Sequence, residues 1–241
     1  MLPFGKANPH SSSCARSGAS GKVSAMDHPA NGWKAMGDRR YCRLRSPAVR
    51  TAARKRNVGQ ITLITGGARS GKSAYALKIA QALRGLRVFV ATCPVMDAEL
   101  TARVAAHKME REAAGWHTIE EEVELAGVLR DARDFHVILV DCLTLWVNNI
   151  LFRALDEDRT ITEQDMEERC RELIAACSQL TGAVIFVTNE VGMGIVPDNS
   201  VSRLYRDLLG RCNQNIAAAA DRVVFMTCGL PLELKQGSAG H

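Results

Sequence analysis

Short apolar runs alternate with longer stretches of helical periodicity from residue 61 onward. Runs that are apolar throughout, such as 136–140 and 183–187, are typical of strands buried on both faces of a parallel sheet. The stretches between them repeat apolar residues every three or four positions, as amphipathic helices do. The pattern predicts an α/β fold with a mostly parallel central sheet flanked by helices. Its predicted strands are 61–64, 87–91, 136–140, 183–187 and 222–227.

Helices are predicted from the same pattern after each of the first four strands, at about 74–83, 97–114, 143–152 and 200–219, with a short acidic helix near 122–132. Thr160 and Glu163 have the spacing of a capping box, which would start one more helix. That helix has an apolar face of Met166, Cys170, Leu173, Cys177 and Leu180. The 200–219 helix has an apolar face of Val201, Leu204, Leu208, Cys212 and Ile216. The chain from Gly229 onward is interpreted as a tail.

The segment between the first strand and the first helix carries the strongest motif. Gly66, Gly71, Lys72 and Ser73 satisfy the pattern G-x-x-x-x-G-K-[ST] of a P-loop, between a strand and a good helix former. In such a loop the backbone N–H groups and the helix N-terminus face phosphate oxygens. Lys72 would reach the β- and γ-phosphates, and the Ser73 hydroxyl would ligate Mg²⁺. The alternative is a glycine-rich turn that only caps a helix. We predict nucleoside triphosphate binding.

Charge is unevenly distributed along the chain. Residues 1–58 have a net charge of +10, and the remaining residues have a net charge of −5. The acidic balance of the second part argues against general nucleic-acid binding. Residues 1–58 are rich in Ser, Gly, Ala and Arg without apolar periodicity, so we expect a disordered leader, or a start codon assigned too far upstream. An organelle transit peptide is the alternative. Residues 59–241 are predicted to form the P-loop domain.

The cysteines and the length of the apolar stretches indicate the cellular compartment of the protein. Eight cysteines are scattered without C-x-x-C or paired Cys/His spacing, which argues against a zinc site. Several occupy apolar stripes, as buried free thiols do. No apolar stretch approaches the roughly 18 residues of a membrane span. We therefore expect reduced thiols in a cytoplasmic protein.

Polar residues lie within three positions after the end of three of the predicted strands. Thr92, Asp141 and Glu190 would join the P-loop at the carboxyl edge of the sheet, where ligands bind in open α/β folds. Asp141 is a candidate second Mg²⁺ ligand, and its alternative is an N-cap of the helix that follows. Glu190 is a base, a residue of the metal shell, or only a loop acid.

Five blocks of sequence together resemble one family. They read G-G-A-R-S-G-K-S, R-V-A-A-H-K-x-x-R followed by W-H-T-I-E, V-D-C-L-T-L-W, V-T-N-E-V-G-M-G-I-V-P and R-D-L-L-G-R-C-N-Q. The chain over about residues 60–235 is similar to the bifunctional adenosylcobinamide kinase/adenosylcobinamide-phosphate guanylyltransferases of cobalamin biosynthesis. This resemblance implies a P-loop fold of RecA type and a homo-oligomer, a ring-like trimer. It also implies that ATP or GTP phosphorylates adenosylcobinamide, and that GTP then guanylylates a histidine, which passes GMP to adenosylcobinamide phosphate.

The resemblance also assigns site residues. Its nucleophilic histidine falls on His107, with Lys72 as the second catalytic residue and Ser73 and Asp141 as Mg²⁺ ligands. A neutral imidazole is a competent nitrogen nucleophile near neutral pH. His117 is the rival nucleophile. The implied nucleotide contacts are Gly66, Gly67, Ala68, Arg69, Ser70, Gly71, Lys72, Ser73, Ala91, Thr92, Cys93, Lys108, Arg111, Glu120 and Asp141.

Two other functions fit a P-loop of this kind. One is a small-molecule P-loop kinase without guanylyl transfer. The other is a RecA-like ATPase or GTP-dependent switch that acts on a macromolecule. A covalent GMP adduct would separate the bifunctional enzyme from both, and binding of a corrinoid would exclude the switch.

Overall fold

A computed structural model describes residues 59–94, 109 and 111–236. The strands are β1 (Gln60–Gly66), β2 (Arg87–Ala91), β3 (Trp116–Glu120), β4 (Val137–Asp141), β5 (Ala183–Val187), β6 (Arg222–Thr227) and β7 (Leu230–Lys235). The helices are α1 (Lys72–Ala82), α2 (Leu125–Asp131), α3 (Leu143–Asp156), α4 (Glu163–Ser178) and α5 (Ser200–Ala219), with a 3₁₀ turn at Val191–Met193. The predicted helix over 97–114 lies largely outside the described residues.

The strands form one seven-stranded sheet in the order β3-β2-β4-β5-β1-β6-β7. Every pair is parallel except β6 and β7, which form an antiparallel hairpin. The predicted α/β fold with a mostly parallel sheet is confirmed, and the five predicted strands lie within one or two residues of the observed bounds. The prediction of a tail from Gly229 was wrong, because this segment includes the edge strand β7.

The sheet separates two apolar layers. One contains α1 packed on Ile64, Leu139, Ile185 and Val224. The other contains residues of α2, α3, α4 and α5 packed on the opposite side of the same strands. Consecutive residues of β4 are buried in both layers, which explains why its sequence is apolar throughout. Helices on both faces leave the carboxyl edge of the parallel strands as the place where loops meet.

Two helix details differ from the prediction. The capping box of α4 uses Thr162 and Asp165: the Thr162 hydroxyl accepts from the Asp165 N–H at 3.3 Å, and the Asp165 carboxylate accepts from the Thr162 N–H at 2.8 Å. Thr160 and Glu163 lie two residues too early. Both pairs have the spacing of a capping box, so the pattern could not choose between them. On α5, Leu208, Cys212 and Ile216 are buried as predicted, but Val201 in the first turn is 39% exposed.

No helix within the described ranges is long and apolar enough to cross a membrane. The cysteines that the structure describes form no disulfide, and Cys170, Cys177 and Cys212 are buried among apolar side chains.

Candidate active site

The P-loop connects β1 to α1 at the carboxyl edge of the sheet, as its sequence predicted. Gly66 adopts a φ of 147°, and a Cβ atom there would collide with the Met226 carbonyl oxygen of neighbouring β6. Gly71 has a φ of 96° in the left-handed region and precedes the first residue of α1. Both positions therefore require glycine, one for its conformation and its close backbone approach, the other for its conformation.

Lys72 folds its side chain back into this loop. Its ammonium group donates to the Gly67 carbonyl at 2.6 Å and lies 3.5 Å from the Ser70 hydroxyl. The residue is only 8% exposed. Burial lowers the pKa of the ammonium, whereas Cys142 and Asp141 act to raise it. The cation is thus held at the centre of the loop, where phosphate oxygens would lie.

The hairpin turn between β6 and β7 is hydrogen-bonded to the P-loop. The Gly229 N–H donates to the Ser70 carbonyl at 3.1 Å, and the Ser70 N–H donates to the Gly67 carbonyl at 3.3 Å. The edge strand missing from the sequence prediction therefore has a role at the site, because its turn fixes the loop.

Asp141 ends β4 within reach of the first turn of α1. Burial raises the pKa of its carboxyl, while the Ser73 hydroxyl and the charges of Lys72 and Arg111 act in the opposite direction. The chain alone therefore leaves the negative charge of this half-buried carboxylate incompletely compensated. A carboxylate in that condition beside a hydroxyl suits a divalent cation with oxygen ligands.

Thr92 holds the backbone next to Asp141. Its hydroxyl is fully buried, donates to the Cys142 carbonyl and accepts from the Cys142 N–H, both at 2.7 Å. The Thr92 carbonyl accepts from the Asn149 amide at 2.8 Å. These bonds give Thr92 a positioning role, since its hydroxyl is occupied by bonds to Cys142. Cys93 follows it, and burial raises the pKa of its thiol.

A cavity of about 450 Å³ extends from Ser73 and Asp141 along α1. The Arg111 guanidinium lies 4.0 Å from the centre of the Phe89 ring, on the wall of this cavity. The phosphate loop, Asp141 and Arg111 thus face one common space. Its other lining residues are Ala74, Leu77, Gln81, Ala114 and Trp116.

Glu190 contacts the beginning of the P-loop through both its backbone and its side chain. Its N–H donates to the Gly66 carbonyl at 3.1 Å, and its carboxylate lies 3.5 Å from the Thr65 hydroxyl. The buried Asn213 amide donates to the Asn189 carbonyl at 2.9 Å and reaches the Glu190 carboxylate at 3.4 Å. Asn213 in turn accepts from the Thr188 hydroxyl at 2.8 Å. This network fixes Glu190 beside the start of the phosphate loop.

A P-loop flanked by a half-buried aspartate and a second carboxylate, here Asp141 and Glu190, is common to many nucleotide-dependent enzymes. The comparison with known proteins decides between them. Residues 62–234 match the family described as cobinamide kinase / cobinamide phosphate guanyltransferase. The chain belongs to this family.

Curated relatives extend the match. The bifunctional adenosylcobalamin biosynthesis protein CobU of Salmonella typhimurium is 40% identical over 183 residues, covering 72% of this chain and 98% of the relative. The protein of the same name from Escherichia coli is 39% identical with the same coverage. The bifunctional adenosylcobalamin biosynthesis protein CobP of Pseudomonas aeruginosa is 42% identical over 175 residues, covering 72% of this chain and 96% of the relative.

The structure brings several residues implied by the family resemblance into one row. Glu120 pairs with Ala91, and Ala91 pairs with Asp141, so three neighbouring strands end side by side. Ala68 and Arg69 form the exposed tip of the P-loop between Gly67 and Ser70. His107 and Lys108 lie outside the described residues. The rival histidine, His117, lies three residues before the end of β3, with its ring packed edge-on against Phe135 at 5.3 Å.

Two asparagines that were not predicted from the sequence form hydrogen bonds that fix the backbone of the site. Asn149 in α3 bonds the carbonyls of Thr92 and Glu122, and Asn213 in α5 bonds Thr188 and Asn189. Their signal was available, since an amide within a largely apolar helix face needs a partner. The identity of that partner depends on the tertiary fold.

Asn213→Ala should destabilise the protein. It leaves the buried Thr188 hydroxyl and the Asn189 carbonyl without their partner, which typically costs about 1–3 kcal/mol. For a domain of this size each kcal/mol lowers the melting temperature by about 2–4 °C. Asn215→Ala is the matched control, because Asn215 lies on the same helix and its buried amide nitrogen has no partner in the structure. Equal melting temperatures for both variants would show that the Asn213 network contributes nothing.

Proposed function

We propose that this chain phosphorylates adenosylcobinamide with a nucleoside triphosphate, and then transfers GMP from GTP to adenosylcobinamide phosphate through a guanylylated His107. The observation that carries the proposal is a complete P-loop facing Asp141, in a chain whose residues 62–234 match the kinase and guanyltransferase family. The relatives' name includes the word bifunctional, which supports both reactions in one chain.

Phosphoryl transfer needs positioning and compensation of charge more than it needs a protein nucleophile. In the first reaction the acceptor hydroxyl oxygen bonds to the γ-phosphorus, and the bond from that phosphorus to the β,γ-bridging oxygen breaks. The nucleoside diphosphate leaves with the electron pair. Lys72 and the P-loop N–H groups compensate the charge on the phosphate oxygens. We assign the hydroxyl proton to Glu190, whose carboxylate lies beside Thr65 at the start of the loop.

Mg²⁺ fits the residues at this site. The Ser73 hydroxyl and the Asp141 carboxylate would hold it together with phosphate oxygens, since Mg²⁺ is usually bound through one or two carboxylates and substrate phosphates. The bound ion would compensate charge on those phosphates. The described residues contain no group of three or more His, Cys, Asp or Glu that could hold a metal, so the phosphates would have to complete the coordination.

The second reaction transfers a guanylyl group twice. An imidazole nitrogen of His107 attacks the α-phosphorus of GTP, and the bond to the bridging oxygen of the leaving pyrophosphate breaks. A phosphate oxygen of the acceptor then attacks the same phosphorus, the P–N bond breaks, and free histidine is restored with adenosylcobinamide-GDP as product. We propose that Arg111, Glu120, Ala91 and Cys93 hold the nucleotide here, while Thr92 positions the backbone between Ala91 and Cys93 through its bonds to Cys142. We also propose that the chain acts as a homo-oligomer, a trimer.

The proposal is tested by following both products with the purified full-length protein. Adenosylcobinamide with ATP and Mg²⁺ should give adenosylcobinamide phosphate, and later addition of GTP should give adenosylcobinamide-GDP, both resolved by chromatography and mass spectrometry. Adenosylcobinamide phosphate supplied directly with GTP should give the second product without ATP. Phosphorylation without the GDP derivative would contradict the proposal and support a simple kinase.

A further inference from the structure

The segment that follows β5 exposes an unusual set of apolar side chains. In the 191–197 loop, Ile195 is 96% exposed, Met193 is 75% exposed and Val196 is 62% exposed. Single exposed aliphatic residues are ordinary on a protein surface, whereas several large ones in one short loop indicate a surface that binds something.

This loop is anchored at both ends. Before it, the Glu190 N–H bonds the Gly66 carbonyl at 3.1 Å, and Val191 packs against the hydrophobic core. After it, the Arg203 guanidinium donates to the Pro197 carbonyl at 3.0 Å and also to the Asp198 carbonyl. The Asn199 side chain then caps α5 by accepting from the Ser202 N–H at 2.7 Å. Between these anchors, the exposed side chains lie on a fixed support, which lowers the entropy cost of binding a ligand.

The loop also lies beside the phosphate site. β5 is paired with β1, so the two strands deliver the 191–197 loop and the P-loop to the same edge at neighbouring positions, about 5 Å apart. The Glu190 carboxylate lies between them, because it is 3.5 Å from the Thr65 hydroxyl and a Cβ atom on Gly192 would be 3.7 Å from it. A ligand that rests on the loop could extend an arm to the phosphates held by the P-loop.

We propose that the 191–197 loop binds the corrinoid acceptor of the kinase reaction through Met193, Ile195 and Val196. The inference rests on the proposed function and names a subsite for its acceptor. A corrinoid is a large macrocycle whose rim carries methyl groups between its amide side chains, and its reactive hydroxyl lies at the end of a short side arm. The macrocycle is too large to enter the P-loop, so it must rest on a surface outside that loop. A fixed apolar surface next to the phosphate site meets this requirement.

The test compares kinetic constants of variants for the two substrates. Ile195→Ser should raise KM for adenosylcobinamide about tenfold, equivalent to roughly 1.4 kcal/mol, because a polar side chain replaces apolar contact area. KM for ATP should stay unchanged, and so should formation of the covalent GMP adduct from GTP, which needs no acceptor. Ile195→Leu should restore the KM for adenosylcobinamide. Phe152→Ser is the matched control: Phe152 is 50% exposed on α3, roughly 13 Å along that helix from its start.

The possible outcomes separate this inference from the proposed function. An unchanged KM for adenosylcobinamide in Ile195→Ser would overturn the inference while the proposed function stands. Equal rises in Ile195→Ser and Phe152→Ser would overturn it as well. A lower assembly mass of Ile195→Ser in light scattering, with both reactions lost, would assign the loop to contacts between copies instead. If the wild-type protein phosphorylates no corrinoid, the proposed function fails and the inference fails with it.

Discussion

Lys72→Ala should lower kinase turnover by about 10²–10³-fold, which is the usual effect of losing one fixed contact that stabilises developing charge. The ammonium of Lys72 is held inside the P-loop by the Gly67 carbonyl. Its removal takes away the cation held inside the loop, at the position where the γ-phosphate would lie, whereas Arg69 lies at the exposed tip. Because GTP would use the same cradle, the adduct-forming reaction should fall as well. Steady-state kinetics with ATP measure the kinase turnover, and fixed-time assays with GTP measure the formation of the adduct.

The control for this variant lies on the same helix. Lys78→Ala removes an exposed lysine about one and a half turns further along α1 and should leave both rates unchanged. The melting temperature of Lys72→Ala should stay near that of the wild type, because the lost hydrogen bond is offset by removing a poorly solvated charge. Near-normal kinase turnover in Lys72→Ala would refute the assignment of 66–73 as the phosphate site.

His107→Ala should abolish the covalent GMP adduct and the guanylyltransferase reaction. A phosphoramidate requires a nitrogen nucleophile, so loss of the imidazole removes the bond on which the transfer depends. Nucleotide binding at the P-loop should remain, and at least part of the kinase activity should survive, because direct phosphoryl transfer uses no protein nucleophile. Mass spectrometry of the protein after GTP treatment, alongside a kinase assay, measures this separation of activities.

His117→Ala provides the comparison. The His117 ring packs against Phe135, and His117 lies three positions before the end of β3. The His117→Ala variant should therefore still form the adduct. An adduct that persists in His107→Ala and disappears in His117→Ala would show that His117 is the nucleophile. Loss of kinase activity to the same degree as guanylyl transfer in His107→Ala would also contradict the two-reaction scheme.

The parts of the fold that the sequence predicts well are those set by local pattern. The P-loop follows from residues close in sequence, and β4 and β5 are recognisable because burial on both faces makes every position apolar. The edge strands β3 and β7 escaped prediction for the converse reason. β3 reads W-H-T-I-E, with His117 and Glu120 exposed, and the leucines of β7 face solvent. A strand paired on one side needs no continuous apolar run.

The site residues divide in the same way into those predicted from the local sequence pattern and those that depend on tertiary contacts. Asp141 was recognised because it ends an apolar strand, which places it at the carboxyl edge of the sheet. The structure adds that this half-buried carboxylate lies close enough to Lys72 and Arg111 for their charges to act on its pKa. The roles of Thr92, Asn149 and Asn213 could not be predicted, since each depends on a partner at least 24 residues away in the chain. Hydrogen bonds of this kind exist only once the strands and helices have packed.

Intact-mass measurement of the wild-type protein after incubation with GTP and Mg²⁺ shows whether this P-loop protein also carries a guanylyl group on histidine. We expect a mass increase of one GMP moiety per chain, with release of pyrophosphate. The adduct should be labile in acid and stable in base, as a phosphoramidate is, and adenosylcobinamide phosphate should discharge it. An unchanged mass under conditions in which the same preparation phosphorylates adenosylcobinamide would contradict guanylylation of the protein and leave a simple P-loop kinase.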